Sequence, residues 1–255
     1  MPDVAEWSRA RVLQESAAWT SPWHPPGSLH RDLGWFEYYV TGATATVMRV
    51  APAGRDVGRL VENVLLELRS ERVVEAYWTV GPATQPPGLE DALLAAGAGV
   101  DSAVDICARP LIDVPPGPPD DAEVAVREVR SRDDVAAFQR VNAAAWGYPP
   151  PSESDVDREA AALRCGYVLG CWRGEPVGVA GCTLAGEVAR LWGAAVVPAA
   201  RRRGVYRAMV VARLADSRQR GATLALVHAQ PTSSRVLQRL GFAVHGQQHV
   251  FAVRP

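Results

Sequence analysis

"VVPAARRRGVYRAMVVARL" (residues 196–214) changes character twice within one short stretch. An apolar run stops at Pro198, three arginines follow in a row, and Gly204 opens a segment in which Tyr206, Met209, Val210 and Leu214 share one helical face. The start of a helix leaves about four backbone N–H groups without helical partners and is the positive end of its dipole. A glycine there lets a bulky anion come close to the backbone, and flanking arginines add bidentate contacts to phosphate. Strand, Arg-rich turn, glycine and helix together form a cradle for a pyrophosphate. The stretch is not a Walker A loop, since G-x-x-x-x-G-K-[ST] is absent, and no G-x-G-x-x-G follows a strand. The other reading of the arginine run is a solvated helix start.

The rest of the chain bounds what surrounds this turn. Its 255 residues suffice for two domains with cores of their own. A net charge of −1 gives no general pull toward nucleic acid or an anionic membrane, so the arginines are a local feature. The N-terminus lacks a basic-then-apolar leader, and Glu187 and Arg190 interrupt the most apolar span, so neither export nor a membrane span is expected. Four cysteines without a C-x-x-C pair read as free thiols of a cytoplasmic protein. No metal is expected, because His245 and His249 fall on a Gly-containing strand pair rather than on a helix.

A Pro-rich linker at 113–121 is expected to separate domains at 1–112 and 122–255. The second domain reads β α α β β β α β α β β. Ser131 serves as an N-cap, turns fall near Gly174 and Gly186, Gly221 ends the helix after the arginines, and residues 243–253 form a closing hairpin-like pair. Placing Val50 on Val196 also aligns Pro52 with Pro198, Ala53 with Ala199, Arg55 with Arg201 and Gly58 with Gly204. The match continues along the next helix at Val64/Val210, Leu68/Leu214 and Arg72/Arg218. Proline and glycine matches carry the weight, because both constrain the backbone. With "WFEYYVTGATATVMRV" (35–50) as strand, turn, strand before it, the first domain reads as a shortened copy lacking the opening strand and helices. Trp19, Trp23, Trp35, Phe36, Tyr38 and Tyr39 are expected in its core and along the interdomain seam.

The order strand, V-x-P-x-x-R-x-x-G, helix, strand, helix, L-G-F resembles the GCN5-related N-acetyltransferase (GNAT) superfamily. The matching residues are Val196, Pro198, Arg201 and Gly204, then Leu240, Gly241 and Phe242. The resemblance implies an α+β fold of two tandem GNAT-like domains. Each would be a mixed, mostly antiparallel sheet flanked by helices, with the N-terminal copy truncated. It also implies acetyl-CoA as cosubstrate: Ala195, Val196 and Val197 would meet the pantetheine, and Arg201, Arg202, Arg203, Gly204, Val205 and Tyr206 would wrap the pyrophosphate. Gln230 and Ser233 would contact the pantetheine arm. In the first copy Asp56 stands where an arginine would, so that copy is expected to bind CoA poorly.

The chain departs from the family at three places. Tyr206 replaces the last small residue of the turn. Leu237 takes the place of a tyrosine acid. The stretch Arg190–Ala194 lacks the glutamate base that many members carry in the fourth strand. His228, at a strand end bordering the expected cleft, is the candidate for proton exchange, with a hydrogen-bonded strand-end histidine as the other reading. Trp146-Gly147-Tyr148 ends a helix where acceptor-binding loops lie in the family. It reads as a pocket wall or as an aromatic hinge. The expected activity is transfer of acetyl to a primary amine on a small molecule, by a monomer or homodimer. The alternative is a non-catalytic CoA-binding or regulatory protein.

Overall fold

The structure is a computed structural model that describes residues 7–20, 27–50, 56–114, 123–163 and 165–255. Much of the linker, Trp23, and the first-copy turn at 51–55 lie outside the described residues. In chain order the elements are α1 (Arg9–Ala17), β1 (Leu29–Asp32), β2 (Phe36–Thr41), β3 (Thr44–Val50), α2 (Val57–Ser70), β4 (Glu75–Val80), α3 (Leu89–Ala95) and β5 (Gly99–Pro110). Then come β6 (Val124–Glu128), α4 (Arg132–Trp146), α5 (Glu153–Ala161), β7 (Tyr167–Trp172), β8 (Glu175–Ala185), β9 (Val188–Val196), α6 (Val205–Gln219), β10 (Leu224–Ala229), α7 (Pro231–Arg239) and β11 (Ala243–Val253). A single turn of 3-10 helix, Pro198–Ala200, joins β9 to the arginines.

The chain divides into two compact units. The first holds residues 6–108 together with 228–255, and the second is essentially 109–227. Within each unit the strand pairing is mixed and mostly antiparallel. In the first unit β1, β2 and β3 pair antiparallel, β3 and β4 pair parallel, and β11 pairs antiparallel with β4 on one side and β5 on the other. In the second unit β6, β7, β8 and β9 pair antiparallel in sequence order, and β9 pairs parallel with β10. A parallel pair needs a crossover, and α2 and α6 supply it in the two halves. The order β2–β3–α2–β4–α3–β5 thus recurs as β8–β9–α6–β10–α7–β11.

Local chemistry explains most boundaries. Ser131 and Ser152 each open a helix with a reciprocal capping box, the first with Asp134 and the second with Asp155. Gly147 closes α4 in the left-handed conformation, and Gly221 takes φ +90° just past α6. Phe36 and Tyr38 are fully buried and stack at 4.9 Å, and with Trp78, Phe251 and Val253 they belong to the first unit's core.

Two expectations need correcting. The closing segment is one strand, β11, not a hairpin. Gly246 sits at a register shift against β5, a bulge where a Cβ would come within 3.3 Å of Pro82 Cγ. Among the described residues the first copy lacks a counterpart of β6, as expected, but it keeps one helix, α1, and a further strand, β1, which pairs with β2 as β7 pairs with β8. All four residues of β1 are exposed and α1 buries only Val12 and Ser16, so neither carries the apolar period that marks an element in sequence.

Candidate active site

The cradle is built at the end of β9. Against β8 the register slips between Val179↔Ala195 and Gly181↔Trp192, and Gly193 takes φ +60° inside that irregularity. On its other edge β9 pairs with β10 only from Leu224↔Val188 to Leu226↔Arg190, although β9 runs on to Val196. The two parallel strands therefore part beyond Arg190. Val197 N–H donates to the Val177 carbonyl of β8 at 2.9 Å. Strand alternation turns Val196 to the opposite edge, where Arg201 Nε donates to its carbonyl at 3.2 Å.

The turn itself is shaped by backbone conformation. Arg201, Arg202, Arg203 and Gly204 are all exposed. Arg202 takes φ +65° and Gly204 φ +82°, both left-handed. Left-handed Gly204 followed by helical Val205 points successive N–H groups to one side, an arrangement that suits an anion. Among the described residues no side chain caps this end of α6, and nothing lies within 4 Å of where a Gly204 Cβ would be. The first copy is built differently: Asp56 caps α2 by accepting from Gly58 N at 2.9 Å. A carboxylate already holds the amide that a phosphate would need.

Glycines in the sheet bring the helix start close. A Cβ on Gly170 would approach Val205 Cγ1 to 2.6 Å, and one on Gly178 would approach Val205 Cγ1 and Met209 Cε to 2.9 Å. These two residues, partners across β7 and β8, seat the first turns of α6 on the sheet. Arg213, further along α6, is 3% exposed; its Nη1 donates to the Gly181 carbonyl at 2.9 Å and its Nε to Met209 O at 3.1 Å. Burial lowers its pKa below the usual guanidinium value. Gly181 also makes room for Trp192, whose six-membered ring would lie 2.5 Å from a Cβ there. Trp192 Nε1 donates to Thr183 Oγ1 at 2.9 Å, and its ring meets Tyr167 edge-on at 5.2 Å. Sequence patterning missed Trp172, Trp192, Arg213 and the three glycines. The only advance signal was glycine inside strands, which marks a close approach.

The structure brings Ala195–Tyr206 together in the second unit. His228, Gln230 and Ser233 belong to the first. His228 Nε2 lies 2.8 Å from Ser16 Oγ, and its ring is 4.5 Å from that of Trp19. Gln230 is the N-cap residue of α7, and its carbonyl accepts from Ser233 N at 3.0 Å and Ser233 Oγ at 2.9 Å. Leu237 is fully buried, and Trp146 is 53% exposed at the end of α4. All four cysteines are free. Among the described residues no group of three or more His, Cys, Asp or Glu is placed to hold a metal ion, and no helix is long and apolar enough to cross a membrane.

Residues 135–242, which include the cradle, match the Acetyltransferase (GNAT) family model. The segment that holds the cradle is thus similar to the GNAT acetyltransferases. No curated protein matches the sequence. Among solved structures, a GCN5-related N-acetyltransferase from Kribbella flavida is 21% identical, with 89% of each chain covered and a TM-score of 0.61. A GCN5-related N-acetyltransferase from Sphaerobacter thermophilus is 16% identical over 87% of this chain and 78% of its own, with a TM-score of 0.66. A tandem GNAT protein from the clavulanic acid biosynthesis pathway is 17% identical over 91% of this chain and 85% of its own, with a TM-score of 0.65. At these identities the likeness establishes the fold, and that fold is the tandem GNAT arrangement.

Proposed function

We propose that the protein transfers an acetyl group from acetyl-CoA to a primary amine of a small molecule. The observation that carries this reading is the α6 N-terminus, left open by every side chain described and set at the end of a strand that parts from its parallel neighbour. The amides of Gly204, Val205 and Tyr206 and the guanidinium of Arg203 would receive the diphosphate. The parted edge of β9 at Val196 would pair with the pantetheine amides. Acetyl-CoA supplies the activated thioester; the protein's share is to hold it and an uncharged amine in line.

His228 is the proposed proton-exchanging group. His228→Ala is expected to lower kcat more than it raises KM, and an unchanged pH–rate profile would leave His228 a structural residue, bonded to Ser16 and packed on Trp19. The absence of a carboxylate in Arg190–Ala194 and the burial of Leu237 favour a mechanism that rests mainly on positioning. The same two observations support the second reading, a CoA-binding protein without catalysis. Calorimetry with CoA and release of free thiol from acetyl-CoA across an amine panel separate the readings. Binding with turnover supports transfer, and binding without turnover across the panel supports the second. Gly204→Glu places a carboxylate at the cradle and is expected to abolish CoA binding while keeping a cooperative melt. Retained affinity in that variant would count against the anion site at Gly204, and CoA would then have to be held elsewhere.

A further inference from the structure

Three arginines precede Gly204, and the structure gives each a different task. Arg201 is tied back to the Val196 carbonyl through Nε at 3.2 Å. Arg202 makes the left-handed turn at φ +65°. Arg203, the residue before the helix cap, has its guanidinium carbon 5.0 Å from the ring centre of Trp172. Among the described residues Arg203 has no carboxylate partner.

Trp172 is well placed to hold that cation. It ends β7 and packs against the apolar cluster of Ala180, Val205 and Met209, so its ring is fixed beside the first residue of α6. Arg173 also lies over this ring, at 4.8 Å, but Arg173 is neutralised: Nε and Nη2 both donate to Glu123 Oε1, at 2.9 and 2.6 Å. The two arginines at one tryptophan thus differ in what they keep. Arg173 spends its charge within the protein, whereas Arg203 retains both its charge and its N–H groups.

A carboxylate would also fix an arginine, but it would cancel the charge and fill the donor fork. An aromatic ring attracts the cation through its face and takes none of the in-plane N–H donors. A long side chain that must meet a phosphate is therefore ordered in advance, with less rotamer freedom left to lose on binding.

We infer that Trp172 is a positioning residue for the pyrophosphate of CoA, holding the Arg203 guanidinium at the N-terminus of α6 with its charge and donors free for the phosphates. The inference rests on the proposed function, since it assigns a role within the same site.

Calorimetry with three probes tests it: CoA, 3'-dephospho-CoA and pantetheine, the last carrying no phosphate. Trp172→Leu is expected to weaken CoA and 3'-dephospho-CoA equally, by roughly fivefold to tenfold, and to leave pantetheine unchanged. Trp172→Phe, which keeps a ring and the packing, should recover most of the affinity. Arg203→Gln should cost about as much as Trp172→Leu, and the double variant little more than either, because the two side chains act as one unit. A loss equal for all three probes would make Trp172 a packing residue and overturn the inference. Loss with CoA but not with 3'-dephospho-CoA would move Arg203 to the 3'-phosphate and overturn it as well. Additive losses, or full CoA affinity in Trp172→Leu, would do the same while leaving the acetyltransferase reading intact. A wild-type protein that does not bind CoA would overturn both.

Discussion

Asp134 shows how much one side chain can hold at the edge of this fold. It closes the capping box of α4 and accepts from the Arg127 guanidinium, from Arg130 N at 3.0 Å and from Ser131 N at 3.1 Å. Burial pushes its carboxyl up, but Arg127 and the Arg130 and Ser131 hydrogen bonds outweigh that and hold it at about 2. The ordinary value is 3.8, so the folded pKa is depressed. The stabilisation is fully present above pH 4 or so and is lost as pH falls through about 2. Replacing Asp134 with Asn should lower the melting temperature at neutral pH by about 2–4 °C, the size of a lost cap in a chain of this length. Melts from pH 7 down to pH 2 would show the gap between variant and parent closing at the acid end. A gap independent of pH would mean that the carboxylate's charge contributes nothing. This residue also shows what was legible: Ser131 as N-cap stands in the sequence, whereas Arg127, one strand away, becomes a partner only once β6 lies beside α4.

At the scale of elements, the position of α6 decides whether the cradle exists. The helix is held from below by two glycines, because a side chain on either Gly170 or Gly178 would collide with Val205 or Met209. Gly170→Ala is expected to overpack this contact, cost about 1–3 kcal/mol and raise the CoA dissociation constant, since the first turn of α6 must lift to admit the methyl group. Gly99, with open space around its Cβ position and no positive φ, is the control that should change neither. Paired melts and CoA titrations decide the matter: unchanged stability and affinity in Gly170→Ala would show that the seat is loose. The helix, its glycine start and its stop near Gly221 could be read in advance, because a 3.6-residue apolar period and backbone-constraining residues are local signals. Where α6 would rest could not. That depends on glycines in β7 and β8 being partners across a register that only the assembled sheet defines. The same limit explains β11. An eleven-residue strand with Gly246 inside it looks like two short strands until pairing on both sides shows the glycine to be a bulge.

The molecule as a whole is assembled against its own chain order. Residues 228–255 follow the cradle in sequence yet belong to the first unit, where β11 runs between β4 and β5 and contributes the fully buried Phe251 and the 4% exposed Val253 to the core. A repeat detected by aligning prolines and glycines shows that two halves share a plan. It does not show which strands each half will use, because pairing is a long-range choice made by packing. Without β11, β4 would expose its edge and β5 would have no neighbour within the unit, so residues 1–112 alone are expected not to fold. The check is a pair of fragments. Residues 1–112 alone should show no cooperative thermal transition. The same residues with 228–255 joined through a short flexible linker should regain strand signal by circular dichroism and a cooperative melt. If 1–112 melts cooperatively alone, the first unit's core is closed without the C-terminal strand, and β11 is an addition to that unit rather than its centre.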